Sequence, residues 1–210
     1  MKYLAMDIGN VLCHVNFDKL LTCLSRNLNI SKADAMYFLD RVQKLHDVGL
    51  TSLRDELHDH FKIHSEPIME ELLESWNSVI SGEHLMFNIL KELLDQNVKI
   101  ALVSNIGYEH TKHIDHLLGG EVGYTNSIHF FSCHVGARKP TFLYYQSFLS
   151  MHPEFKGCIY VDDLQDNLNA SKKFGFKTVR FSLNTFSIDG NIDRQALKQK
   201  ANELKKLILK

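Results

Sequence analysis

The 210-residue sequence predicts a three-layer α/β protein, a Rossmann-like doubly wound parallel sheet with a small all-helical cap. Three observations predict it. Five apolar or β-branched runs of strand length recur without clean polar alternation, as strands buried on both faces do. Amphipathic helical stretches fill most of the intervals between them. One interval, between the first and second strands, is about 66 residues long and reads only as helix.

The first strand is Tyr3–Met6, and it stops at Asp7-Ile8-Gly9-Asn10-Val11. A βα connection is normally short, so residues 16–81 are expected to be a cap over the carboxyl end of this strand, with 1–15 and 82–210 forming the core. Within the cap, Ser31-x-x-Asp34 resembles a capping box and opens a helix through Ala35, Leu39 and Val42. Thr51 is expected to cap the next helix after a stop at Gly49, and Glu66-Pro67 opens a third whose stripe runs through Leu72, Trp76 and Ile80. Helix Glu83–Gln96 returns the chain to the sheet. Strands Lys99–Val103 and Ile128–Phe131 follow, then helix Pro140–Ser150 with Pro in its first turn. Strand Cys158–Val161, helix Leu164–Phe174 ended by Gly175 and strand Thr178–Phe181 complete the alternation. The last helix, Ile192–Lys210, sets Leu197, Ala201, Leu204 and Ile208 on one face, which is short enough to pack on the sheet rather than lie on a membrane.

Composition narrows the function. Lys+Arg is 24 and Asp+Glu 25, a net charge of -1, whereas a chain that binds nucleic acid by neutralising phosphates carries a basic excess. No apolar run approaches the ~20 residues of a membrane helix, and the N-terminal apolar stretch meets Asp7 too early for a secretory signal. Cys13, Cys23, Cys133 and Cys158 are scattered without a Cys-x-x-Cys pair, as reduced thiols are. A cytoplasmic protein is expected, with no nucleic acid or membrane partner, as a monomer or weak homodimer.

Polar residues collect where the early strands stop: Asp7, then Ser104-Asn105, then Arg138-Lys139-Pro140, then Asp162-Asp163 with Asn167. A parallel sheet brings such strand ends to one crevice. Asp7 there is a candidate nucleophile. Asp7, Asp162 and Asp163 would form an all-oxygen site for a hard cation, Mg²⁺, and their mutual repulsion calls for one. Lys139 can neutralise both a phosphate and Asp7, and Ser104 can hydrogen-bond phosphoryl oxygens. Together they describe phosphoryl transfer through an aspartyl-phosphate.

The order Asp-x-Gly-Asn-Val, Val-Ser-Asn, Arg-Lys-Pro and Val-Asp-Asp-x-x-x-Asn resembles the haloacid dehalogenase-like (HAD) hydrolases over essentially the whole chain, most closely the phosphatases with a helical cap after the first motif. The resemblance implies that Asp7 forms the phospho-enzyme, that Ser104, Asn105 and Lys139 hold the phosphate, and that Asp7, Asp163 and the Gly9 carbonyl bind Mg²⁺. It implies that Asp162 and Asn167 support the metal and Lys139 from behind, and that His46-Asp47-x-Gly49 faces the site from the cap. The sequence departs from the pattern at Gly9, where the phosphatases carry an Asp that protonates the leaving group. Three consequences stay open: a phosphatase of esters with good leaving groups such as sugar 1-phosphates, a phosphatase with a substitute acid such as His14, or a weakly catalytic phospho-ligand binder. A 2-haloacid dehalogenase is a further alternative, which the Asp162-Asp163 pair disfavours. His110, His113 and His116 recur every three residues, a spacing that does not match the i, i+4 zinc pattern.

Overall fold

Each core strand presents successive side chains to opposite faces of the sheet, and both faces are apolar. In a computed structural model, which describes residues 1–121, 127–188 and 191–210, Leu4 and Met6 of β1 (Tyr3–Met6) join one buried cluster while Ala5 joins another. Ile100 and Leu102 of β4 (Lys99–Ser104) likewise oppose Ala101 and Val103. This two-sided burial is what makes such strands read as continuous apolar runs. With β5 (Ile128–Phe131), β6 (Ile159–Asp162) and β7 (Lys177–Arg180) they form one sheet in the order β5-β4-β1-β6-β7, every pair parallel. The predicted α/β class and doubly wound sheet are thus observed. Strands β4 and β6 each extend one residue further than the apolar runs, to Ser104 and Asp162.

One face of the sheet is covered by α5 (His84–Asp95), α6 (Tyr108–Glu121) and α10 (Arg194–Leu209), which contribute Leu90, Leu93, Ile114, Leu118, Leu197 and Leu204 to its cluster. The other is covered by α8 (Phe142–Met151) and α9 (Gln165–Lys172), with Tyr144, Tyr145, Phe148 and Leu168. The short α7 (Ser132–Val135) follows β5 directly. Helix α10 packs its predicted apolar face against α5, with Lys205 Nζ 2.6 Å from Glu92 Oε2. No helix among the described residues is long and apolar enough to cross a membrane.

Between β1 and β4 lie α1 (Asp18–Leu28), α2 (Lys32–His46), α3 (Leu53–Phe61) and α4 (Glu66–Asn77), which bury Leu24, Phe38, Leu39, Leu57, Leu72 and Trp76 in a cluster of their own. Ser31 caps α2 by accepting from the Asp34 amide at 3.1 Å, as expected. Three local expectations are corrected. Ser52, not Thr51, caps α3, accepting from the Asp55 amide at 3.0 Å. Pro140 lies before α8 rather than in its first turn, because the chain turns once more, the Thr141 amide donating to the Arg138 carbonyl at 2.9 Å. The insert is not purely helical: β2 (Cys13–Val15) pairs antiparallel with β3 (Ile80–Gly82) where the chain leaves and re-enters the sheet domain. A two-residue pair, β8 (Ser187–Ile188) with β9 (Asn191–Ile192), precedes α10.

Candidate active site

Strands β4, β1 and β6 lie side by side, so their carboxyl ends deliver Ser104, Asp7 and Asp162 to one crevice, where the strand order reverses about β1. The loop after β1 is built to hold Asp7. The Asp7 amide donates to the Val161 carbonyl at 2.9 Å, and the Ile8 amide donates to Asp7 Oδ1 at 2.7 Å. Asn10 takes a left-handed conformation (φ 51°), which Asn tolerates better than most residues. Its side-chain Nδ2 donates to Asp163 Oδ2 at 3.3 Å, and its Oδ1 accepts from the Val15 backbone amide at 3.3 Å. Asn10 therefore ties the loop after β1 to the loop after β6, a positioning role the sequence reading did not assign.

Lys139, 2% exposed, sits at the centre. Its ammonium donates to the Val103 carbonyl at 2.9 Å and to Asp162 Oδ2 at 2.8 Å, and lies 2.9 Å from Asp7 Oδ1. The backbone carrying it is gripped by Asn105, whose Nδ2 donates to the Lys139 carbonyl at 2.9 Å and whose Oδ1 accepts from the Lys139 amide at 2.8 Å. Both Asn105 amide atoms take part in this grip, so Asn105 acts on the crevice by fixing Lys139. Asp162, fully buried, accepts from Lys139, from the Leu164 amide at 2.9 Å and from Asn167 Nδ2 at 3.0 and 3.2 Å. It is a support beneath the crevice. Asp7 Oδ2 and Asp163 Oδ1, by contrast, carry no hydrogen bond among the described residues. Asp7, Ser104, Lys139 and Asp163 line a cavity of about 210 Å³, with Gln43, Asp47 and Arg138 on its other side.

The electrostatics are those of crowded anions. Burial pushes the Asp7 carboxyl up to about 7; Lys139 opposes this, while Asp162 and Asp163 add to it. Asp163 is raised for the same reasons, burial first and Asp162 second. Burial works against the Lys139 charge, but Asp162 and Asp7 outweigh it and hold the ammonium above its ordinary range. Oxygens of Asp7, Asp162 and Asp163 come within 4.8 Å of one another. Three carboxylates against one ammonium, all oxygen donors, fit a hard divalent cation such as Mg²⁺. Gly9 is not demanded by the backbone: a Cβ there would meet only Val15 Cγ2, at 3.4 Å.

His14 does not reach this crevice. Successive residues of β2 point to opposite faces; Val15 faces the site, and His14 Nε2 lies 2.9 Å from buried Glu83, which Arg194 also pairs with at 2.7 Å. The expectation that His14 could replace the missing acid is corrected accordingly. His46 and Asp47, at the end of α2, do meet the core. Asp47 Oδ2 is 3.1 Å from an Arg138 nitrogen, and His46 Nε2 is 3.2 Å from Glu109 Oε2, which also accepts from the Leu53 amide at 2.9 Å. Burial disfavours the His46 charge, yet Asp47 and Glu109 raise its pKa overall. The His46 ring lies on Gly107, where a Cβ would come within 2.1–2.3 Å of ring atoms. Gly107→Ala is therefore expected to displace His46 and cost about 1–3 kcal/mol; chemical denaturation of the variant measures it.

Two of the three recurring histidines find their use at this seam. His110 Nε2 donates to the Trp76 carbonyl at 3.1 Å and His113 Nε2 to the Ile80 carbonyl at 2.8 Å, tying α6 to the end of the insert. Burial lowers His110 to about 4, so it serves as a neutral donor. The four cysteines are free thiols.

No protein-family model matches the chain, and no curated protein matches its sequence. Solved structures do match its fold. A HAD family enzyme of Bacteroides thetaiotaomicron, also solved in complex with magnesium and inorganic phosphate, superposes with a TM-score of 0.75 at 18% identity over 94% of this chain and 98% of its own. A HAD phosphatase of Thermococcus onnurineus superposes with a TM-score of 0.65 at 20% identity, covering 99% of this chain and 98% of its own. A dehalogenase superposes with a TM-score of 0.62 at 16% identity over 99% and 96%. The fold is that of the HAD-like hydrolases.

Proposed function

We propose, from a HAD-like fold as the premise, that this protein is an Mg²⁺-dependent phosphatase acting on a small phosphomonoester through a phospho-aspartyl intermediate on Asp7. The observation that carries the reading is the Asp7 carboxylate itself. One oxygen is held by Lys139 and the Ile8 amide, and the other faces the cavity without a hydrogen bond. A nucleophile so fixed needs little reorganisation to attack.

In the first step Asp7 Oδ2 forms a bond to phosphorus as the ester P–O bond breaks, and the leaving alkoxide takes a proton from water. In the second, water attacks the phosphorus, the Asp7–phosphate bond breaks, and Asp7 is regenerated with release of inorganic phosphate. Lys139 neutralises the charge that would otherwise set Asp7 against the phosphoryl group, and the Ser104 hydroxyl donates to a phosphoryl oxygen. Asp7, Asp163 and the Gly9 carbonyl would hold Mg²⁺, which when bound would supply further charge neutralisation at the phosphoryl group. The helical insert, residues 16–81, acts as a cap that carries Gln43 and Asp47 to the cavity and excludes water from it. The partner is a small phosphorylated metabolite rather than nucleic acid or membrane.

A panel of phosphate esters assayed with Mg²⁺ and with chelator tests this reading. Hydrolysis lost in chelator is expected; metal-free halide release from a 2-haloacid would replace it with the dehalogenase reading. Gly9 favours a second reading, a phospho-ligand binder with little turnover, and Mg²⁺-dependent ligand binding with no hydrolysis would select it. Because the backbone at Gly9 accepts a Cβ, Gly9→Asp is expected to add the missing acid and raise kcat on alkyl phosphates, within the roughly 10²–10⁴-fold that acid–base help provides. Steady-state kinetics on esters of differing leaving-group pKa measures the gain, which should be greatest for the poorest leaving group.

A further inference from the structure

The cavity over Asp7 adjoins a second one of about 80 Å³, the two sharing Gly9, Gln43, Asp47, Ser104 and Asn105. The far wall of the second is apolar. It is made by Val15, Phe17, Trp76, Val79 and Ile80 at the seam of the insert, with Ile8 and Ile106 from the core. Most polar atoms on its surface are already engaged. Asn105 holds Lys139, His110 Nε2 holds the Trp76 carbonyl, and Asp47 holds Arg138. Three polar groups remain among the described residues: the Gln43 side-chain amide, and the Trp76 indole N–H and His46 Nε2, both buried without a hydrogen bond, the latter turned toward Glu109 Oε2 at 3.2 Å.

We infer that the substrate is the phosphate ester of a small, largely apolar alcohol with at most one or two hydrogen-bonding groups, its phosphate over Asp7 and its carbon chain beside Trp76. The inference rests on the phosphatase reading for the phosphate and on this cavity for the alcohol. It differs from the sugar phosphate that leaving-group chemistry alone suggests. The space is well below the ~300–1,000 Å³ of drug-sized sites. A polyol would bury hydroxyls with no partner, each costing roughly five- to a hundredfold in affinity, whereas each buried methylene contributes about fourfold.

Propyl phosphate and glycerol 3-phosphate test this, since they share a three-carbon chain and differ by two hydroxyls. The glycerol oxygen is the better leaving group, so intrinsic reactivity favours the glycerol ester. With Mg²⁺ present, kcat/KM is expected to favour propyl phosphate by about tenfold or more. Val15→Thr and Ile80→Thr, which add a hydroxyl to the apolar wall, are expected to narrow that ratio; a purely structural effect would lower both esters alike. Calorimetric binding of the two esters to the Asp7→Asn protein with Mg²⁺ gives a readout independent of turnover. Equal or better turnover and binding of glycerol 3-phosphate, or a ratio unmoved by both wall variants, would overturn the inference. Preferential binding of propyl phosphate with no hydrolysis of either ester would support it while rejecting the phosphatase reading.

Discussion

Asp7→Asn is expected to abolish turnover, by about 10⁴-fold or more as loss of a covalent nucleophile does, and to make the metal-free protein more stable above pH 7. The two effects share one cause. Asp7 is buried beside two other carboxylates, and burial raises its pKa from 3.8 to about 7. A carboxyl whose folded pKa is raised contributes stability that is full below its unfolded value, near 4, and lost as pH rises through 7. Above pH 7 the wild-type protein therefore carries the cost of an ionised buried Asp7, a few kcal/mol at ~1.4 kcal/mol per pH unit. Asn is neutral at every pH and keeps the side-chain volume. Thermal melts in chelator should accordingly show no advantage for the variant near pH 4 and a growing one from pH 4 to 7. Adding Mg²⁺ should raise the wild-type Tm more than that of the variant, since the cation relieves the repulsion that Asn has already removed. A wild-type-like rate, or a variant less stable at pH 8, would contradict this account.

Lys139→Met is expected to be the most damaging single change in the core. The ammonium touches Asp7, Asp162 and the Val103 carbonyl, and Met replaces its chain without its charge. Three acidic groups would be left buried without a cation, and removing one partner of a buried ion pair costs about 3–5 kcal/mol. The loss should be greatest at neutral pH and shrink toward pH 4 as the carboxyls take up protons. Activity should vanish even under conditions where the variant is folded. Denaturant unfolding across pH 4–8 measures the first effect, and ester hydrolysis with circular dichroism as a control measures the second. A Lys139→Met protein as stable as wild type at pH 7 would show that the carboxylates are neutral without it.

The sheet was legible because its strands are buried on both faces. Leu4 and Met6 against Ala5, or Ile100 and Leu102 against Ala101 and Val103, leave no polar residue to interrupt the run. The strand ends were read short because Ser104 and Asp162 are polar residues in strand conformation, placed there by the site rather than by the core. Helix α6 passed unread because few of its side chains are core residues, Ile114 and Leu118 among them, while His110 and His113 face carbonyls of the insert. The β2–β3 pair could not be read, since three-residue strands separated by the whole insert have no local signal. The acidic residues and Lys139 could be found from their positions after strands. What Asn105 and Asn10 do could not, because each acts across the fold, Asn105 on the backbone of Lys139 and Asn10 on Asp163. His14 is close to Asp7 in sequence but not in space, because the two-residue period of β2 turns it toward Glu83.

Acid quench of the enzyme during turnover of a phosphate ester, followed by peptide mass spectrometry, tests the central claim most directly. The account predicts one phosphoryl group on the peptide containing Asp7, present with Mg²⁺, absent in chelator and absent from the Asp7→Asn protein. Ester hydrolysis at full rate with no phosphoryl group on that peptide at any quench time would contradict it.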